Sequence, residues 1–168
     1  MHELLACAPR NVVLVRQRSA WNNTETQKRV LRLLAAALRE HERAAIRPGM
    51  KRWQPVLLLD ARRLHIHPSV ARSAAALGIR LVIAPARLTW LLQPLDTHGF
   101  ALYKAFLQKE FQATRVRQAH GQVALADLLS CVYVATQQVL EGRMWSNAFA
   151  SDGFSAAQAH VSDRVKEA

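Results

Sequence analysis

Apolar residues gather in short blocks along this chain, and the spacing within each block predicts an element. Val12 to Val15 (VVLV) is apolar, mostly β-branched, and reads as a buried strand. A polar turn from Ser19 to Asn23 follows, and Thr24 with Gln27 fits a capping box that opens a helix reaching about Ala45. Val30, Leu33, Leu34, Ala37, Leu38 and His41 recur at helical spacing and are expected to form its inner face, while Arg29, Arg32, Arg39 and Arg43 fall mostly elsewhere. Pro48-Gly49 stops it.

Pro55 to Asp60 (PVLLLD) is the clearest strand. It is apolar without alternation, which predicts burial on both faces, as in a central parallel strand. Pro68 opens a second helix running to Leu77, with Gly78 as its C-terminal stop, and Arg80 to Ala84 is another short strand. Strand, helix and strand within about 30 residues make a βαβ unit with parallel pairing. Pro85 to Leu95 reads as a loop, and a helix starts at Asp96 or Thr97. Phe100, Tyr103, Leu107 and Phe111 form an apolar stripe along it. Val123 to Leu140 is a further helix and Met144 to Phe149 a short one. A domain is expected over residues 1–154, with residues 155–168 as a polar, frayed tail.

Charge changes the picture. Hydrophobic and charged contents of 51% and 21% are ordinary for a globular domain, but 23 Lys+Arg stand against 12 Asp+Glu, a formal +11. Most of the cations are Arg, whose planar fork suits phosphate, so a nucleic-acid partner is expected. Cys7 and Cys131 are far apart and outside any CxxC, so no disulfide framework is expected and a reducing compartment fits. The opening MHELLACAPRN lacks the apolar stretch of a signal peptide, and no run of about 18 apolar residues suggests a membrane span.

Two acids stand out by position. Asp60 closes a strand, and parallel α/β sheets place ligands at the C-terminal ends of their strands. Asp96 opens the helix after the next strand, and in a βαβα layout both face one end of the sheet. Carboxylates so gathered suit Mg²⁺ and phosphoryl transfer. Singly, each has a plainer reading: Asp60 as a turn former and Asp96 as a helix N-cap. His65 and His67 with Asp60 suggest a zinc site, but the barrel hydrolases that use His-x-His need a longer chain and further ligands. Glu40-His41-Glu42 reads as a solvated helix face, and Trp21 and Trp90 as core or loop anchors rather than base-stacking platforms.

The stretch from Val56 to Glu110 resembles the DDE superfamily endonuclease domain of pogo and Tigger transposases and centromere protein B-like proteins. LLLDARRLHIHPSV, Leu57 to Val70, and LTWLLQPLDTHGFALYKAFL, Leu88 to Leu107, carry the likeness, with GIRLVIAPA between them. Trp145 to Phe154 (WSNAFASDGF) resembles the family's closing segment. The resemblance implies an α/β, ribonuclease H-like mixed sheet with flanking helices, its N-terminal strands missing. It implies a metal-dependent DNA endonuclease and transposase of the nucleus, using two Mg²⁺ or Mn²⁺ ions. Asp60 matches the second acid and Asp96 the third, both catalytic and metal-binding; His65 matches the family's recurring His as an auxiliary. Arg62, Arg63, Arg87 and Lys104, in or beside these motifs, are the candidate DNA contacts. DNA is the expected partner, no membrane is involved, and a homo-oligomer is left open.

The sequence departs from the family in one telling way. No Asp precedes Asp60, and the Glu residues before it are Glu3, Glu25, Glu40 and Glu42, so the first acid has no match. Ala61 stands where the family has Gly or Asn, and its helix-turn-helix region is missing. The expectation is therefore an incomplete endonuclease, inactive as this chain alone, or a domesticated, non-catalytic nucleic-acid-binding module.

Overall fold

The computed structural model describes residues 8–9, 12–15, 21–47, 49, 51–118, 121–141, 145–154 and 161–167. These form a mixed α/β, mostly helical chain with one two-stranded parallel sheet among the described residues. It divides into two compact units, one from Gln17 to Thr89 and one from Trp90 to Ala168 together with Met1–Arg16.

The 17–89 unit opens with α1, Thr24–Ala45. Its N-cap is Asn23, whose side chain accepts from the Thr26 N–H at 2.9 Å. The cap therefore sits one residue before the expected Thr24. Gln27 does not reach back to close a box: it is 5% exposed and accepts from the Asn22 amide at 2.8 Å. The inner face is also rotated from expectation. Of the expected face Leu34 and Leu38 are half-buried, Leu34 against the core, but Gln27, Leu31 and Ala35 are the buried residues and Val30, Leu33, Ala37 and His41 are exposed. A shift of one residue turns a helix by about 100°. Two stripes of α1 are apolar enough to serve, and the partner surface selects between them.

β1, Val56–Asp60, leads into α2, Pro68–Ala76, and then β2, Arg80–Ala84. The strands pair in parallel, from Val56 against Arg80 to Asp60 against Ala84, so the expected βαβ unit is present. Pro at the first turn needs no N–H partner, and His67 caps α2 by accepting from the Ser69 N–H. The helix ends in a Schellman turn. Gly78, at φ +76, donates to Ala75, and Ile79 donates to Ala74. Leu31 and Ala35 of α1 meet Val70, Ala74 and Ile79, with Leu57 and Leu81 of the sheet packed against them. Side chains alternate along a strand, so Val56 and Val82 point away from this core and are exposed. Within β1 only Val56 is exposed, and the other four residues, on both faces, are half-buried, short of the full burial expected. On the face away from this core Val56 and Val82 are exposed while Ala84 is buried, and each described strand has one partner.

Val12 to Val15, expected as a strand, pair with no strand among the described residues. Val13 is exposed, and the Val12 N–H turns back to the Pro9 carbonyl. β-branched residues favour a strand only where a neighbouring backbone completes the ladder. The expected loop from Pro85 to Leu95 holds a helical turn, α3, Thr89–Leu92.

In the 90–168 unit a π-helical turn, Leu95–Gly99, runs directly into α4, Phe100–Arg117. The expected stripe of Phe100, Tyr103, Leu107 and Phe111 is half-buried, while Ala101, Leu102 and Lys104 are exposed. α5, Leu125–Ala135, ends in a second π-turn, Thr136–Leu140. Polar contacts fix α4 and α5 antiparallel: Tyr103 meets Thr136, Thr114 meets Cys131, and Gln118 donates to Asp127. α6, Trp145–Ser151, places the Trp145 ring on Gly99, where an added Cβ would lie 3.1 Å from it. Met144 and residues 155–160 lie outside the described residues. Asp163–Lys166 forms a last helical turn, α7.

Candidate functional site

Asp60 sits at the C-terminal end of β1, as the sequence pattern placed it. Its carboxylate is half-buried and engaged on both oxygens. Arg62 Nε donates to Oδ2 at 2.9 Å. His65 Nδ1 lies 2.5 Å from Oδ1, yet its aligned contact is with the Asp60 backbone oxygen at 3.2 Å. Oδ1 is therefore buried without a hydrogen bond. The turn that makes this geometry is local. The His65 and Ile66 N–H groups both bond to the Arg62 carbonyl, which folds the chain back over the strand end.

His67, two residues on, faces its own helix cap and not Asp60. The His-x-His zinc reading thus has its two rings in separate roles. Arg63 is exposed beside this turn. Arg87 lies in the loop after β2, whose last residue, Ala84, pairs with Asp60. Arg87 is exposed and is the one described non-glycine residue at positive φ, +69. The left-handed region costs a β-carbon residue about 1 kcal/mol or more. Arg62, Arg63 and Arg87 thus all lie on segments leaving the C-terminal ends of the two strands.

Asp96 belongs to the other unit, and it is not the N-cap of its helix. It lies inside the π-turn Leu95–Gly99, in the first turn after Pro94. Its side chain is exposed and makes no bond to a described residue. Its neighbours are held firmly. Thr97 Oγ1 contacts Asp152 Oδ2 at 2.6 Å and His98 Nε2 meets Oδ1 at 3.1 Å. Arg164 of α7 adds a third partner, Nη2 to Oδ1 at 2.9 Å. Asp152 is 1% exposed. Sequence reasoning missed it, because Asp-Gly before Phe154 reads as an exposed turn and gives no sign of burial. Lys104, on the exposed side of α4, lies 6.0 Å from the Phe100 ring centre.

Among the described residues, no three or more His, Cys, Asp or Glu side chains come together as a metal ion would need. At Asp60 one carboxylate oxygen lies against His65 Nδ1 without an aligned hydrogen bond, an oxygen ligand of the type a hard cation takes. Arg62 already holds the other oxygen. The remaining candidates behave as follows. Trp21 and Trp90 are exposed, not core residues. Glu42 accepts from the Trp53 backbone N–H at 2.8 Å, and His41 lies tilted against the Trp53 ring, so that part of α1 is not simply solvated. No described helix is long and apolar enough to cross a membrane.

Compared with known proteins, the chain matches no family model, and no curated protein or solved structure shows significant similarity to it.

Proposed function

We propose that the chain is the C-terminal part of a pogo/Tigger-type DDE endonuclease domain of ribonuclease H-like topology, acting on chromosomal DNA in the nucleus. By the resemblance, Asp60 and Asp96 would each supply a carboxylate to Mg²⁺ or Mn²⁺ ions. The observation that carries the reading is the end of β1. A carboxylate sits where parallel strands end, one oxygen against His65 Nδ1 and the other against Arg62, with Arg63 and Arg87 on the adjoining segments. A cation at the carboxylate would take the place of Arg62, whose guanidinium would then be open to a phosphate. The excess of basic residues supports the same partner.

When bound, the ions supply charge stabilisation for the attacking and leaving oxygens of a phosphoryl transfer. The chain's own residues do the rest. Arg62, Arg63, Arg87 and Lys104 hold phosphates, and His65 keeps the Asp60 turn folded through the backbone carbonyl. The Thr97–Asp152 and His98–Asp152 bonds hold the turn that bears Asp96. With no Asp before Asp60, the first acid has no counterpart in this sequence, and the chain alone is expected not to cut DNA.

A second reading, a non-catalytic nucleic-acid-binding module, is favoured by Arg62 on Asp60 Oδ2, which places a resident cation on the carboxylate. Nicking of supercoiled plasmid with Mn²⁺, run beside a salt titration of duplex binding, tests both readings. The expected result is binding that weakens steeply with salt, without cleavage. Cleavage abolished by Asp60→Ala would overturn the incomplete-site reading. Absence of binding at low salt would remove the duplex-binding function.

A further inference from the structure

We propose a second nucleic-acid site on the 17–89 unit, at the end of the sheet away from Asp60. It is a pocket that takes an unpaired base against Trp53, with the flanking phosphates on Arg39 and Arg52. The inference goes beyond the metal reading and does not depend on it.

A cavity of about 320 Å³ opens between α1, the segment before β1 and the turn before β2. This falls at the lower end of the range for small-ligand sites. Leu38, Pro55 and Ile79 line its apolar part, and Trp53, Arg39 and Arg52 line it too. Pro55 and Ile79 precede β1 and β2, whereas Asp60 ends β1. A five-residue strand separates the two sites, roughly 16 Å.

Trp53 is held as a platform, not buried as core. Its N–H donates to Glu42 Oε1 at 2.8 Å, and its ring sits 5.4 Å from that of His41, tilted by 51°. The side chain is nonetheless 42% exposed. A large aromatic ring fixed at its backbone and open on its surface offers a stacking face. Neither Arg39 nor Arg52 is paired with a described carboxylate, so both remain available to an anion.

The surroundings favour a strand over a lone nucleotide. On α1, Lys28, Arg32, Arg39 and Arg43 fall within one strip beside the buried face, because steps of four, seven and four residues return to nearly the same direction. The strip spans about 22 Å and leads to the pocket through Arg39. Glu42 is in the pocket lining but is already engaged by the Trp53 N–H, and Lys28 pairs with Glu25. A basic track ending at an aromatic pocket is the arrangement that binds single strands without reading sequence. Duplex DNA keeps its bases stacked inside and has none to place there.

The test is anisotropy of a labelled twelve-nucleotide oligothymidylate with the full chain at fixed salt, for wild type, Trp53→Ala, Trp53→Phe and Arg39→Ser/Arg52→Ser. The expected result is binding that weakens about tenfold in Trp53→Ala and is largely retained in Trp53→Phe. The double arginine variant should show a salt slope shallower by about 1.4. Circular dichroism of each variant separates misfolding from lost contacts. Unchanged binding by folded Trp53→Ala overturns the site. Displacement of the oligomer by a mononucleotide at equal nucleotide concentration, or by polyglutamate with the same Trp53 dependence, overturns the single-strand occupant. Failure here leaves Asp60-dependent metal binding untouched, so the two readings fail separately.

Discussion

Thr97 Oγ1 lies 2.6 Å from the buried Oδ2 of Asp152, joining residues 55 apart in sequence and fixing the turn that carries Asp96. Asp152 is 1% exposed, and its other oxygen takes Arg164 and His98. A buried carboxylate with these partners cannot lose its charge centre without leaving the others unsatisfied. Asp152→Ala is expected to destabilise the chain by about 3 kcal/mol, within the cost of breaking a buried pair from one side. Arg164→Ala should cost less, because Thr97 and His98 still hold the carboxylate. Urea midpoints of the two variants check the order; a larger effect for Arg164→Ala would mean that α7, not Asp152, is the anchor.

The inner face of α1 gives a second expectation. Leu31 is fully buried against Val70 and Ala74, whereas Leu33 is 37% exposed. Leu31→Ala should cost about 2 to 5 kcal/mol through lost contacts and the cavity left behind. Leu33→Ala should cost under about 1 kcal/mol. Equal losses in urea denaturation would show that the helix presents the other stripe to the core.

That helix shows where sequence alone stops. Its existence and its end at Ala45 were legible from periodicity, as were the βαβ unit, the stop at Gly78 and the half-buried stripe of α4. Which stripe of α1 turns inward was not, since Val30 and Leu33 are as apolar as Leu31 and the residues it packs on, Val70, Ala74 and Ile79, are distant in sequence. Val12 to Val15 failed for the same kind of reason: a strand needs a neighbour, which a local run cannot supply. At the candidate site, Asp60 was visible because a charge ending an apolar run is conspicuous. Asp152 was invisible because its burial is made by Thr97, His98 and Arg164, each distant in sequence.

The turn at Gly78 separates backbone strain from crowding. Gly78 has φ +76, and an added Cβ would meet nothing within 4 Å. Gly78→Ala therefore costs only the left-handed backbone penalty, about 1 kcal/mol. Asn, which tolerates this region better, should cost less than Ala. Thermal melts of the two variants check this. An Ala variant as stable as wild type would mean that the Schellman turn opens without loss.

Arg62 holds Oδ2 of Asp60, so a metal ion drawing on that carboxylate competes with it. The Arg62 side chain is 72% exposed, so its pair with Asp60 is worth about 1 kcal/mol or less. Its removal frees Oδ2 and takes a positive charge away from the site. Arg62→Ala should thus bind Mn²⁺ more tightly, by no more than about fivefold, the ratio that 1 kcal/mol allows. Asp60→Asn should weaken binding whether or not Arg62 is present. Titration followed by electron paramagnetic resonance of free Mn²⁺ reads both without any need for cleavage. If Arg62→Ala binds Mn²⁺ more weakly than wild type, Arg62 orients the carboxylate instead of occupying it. Equal binding by wild type and Asp60→Asn would mean that Asp60 is no ligand, leaving its bond to Arg62 as a turn-stabilising pair.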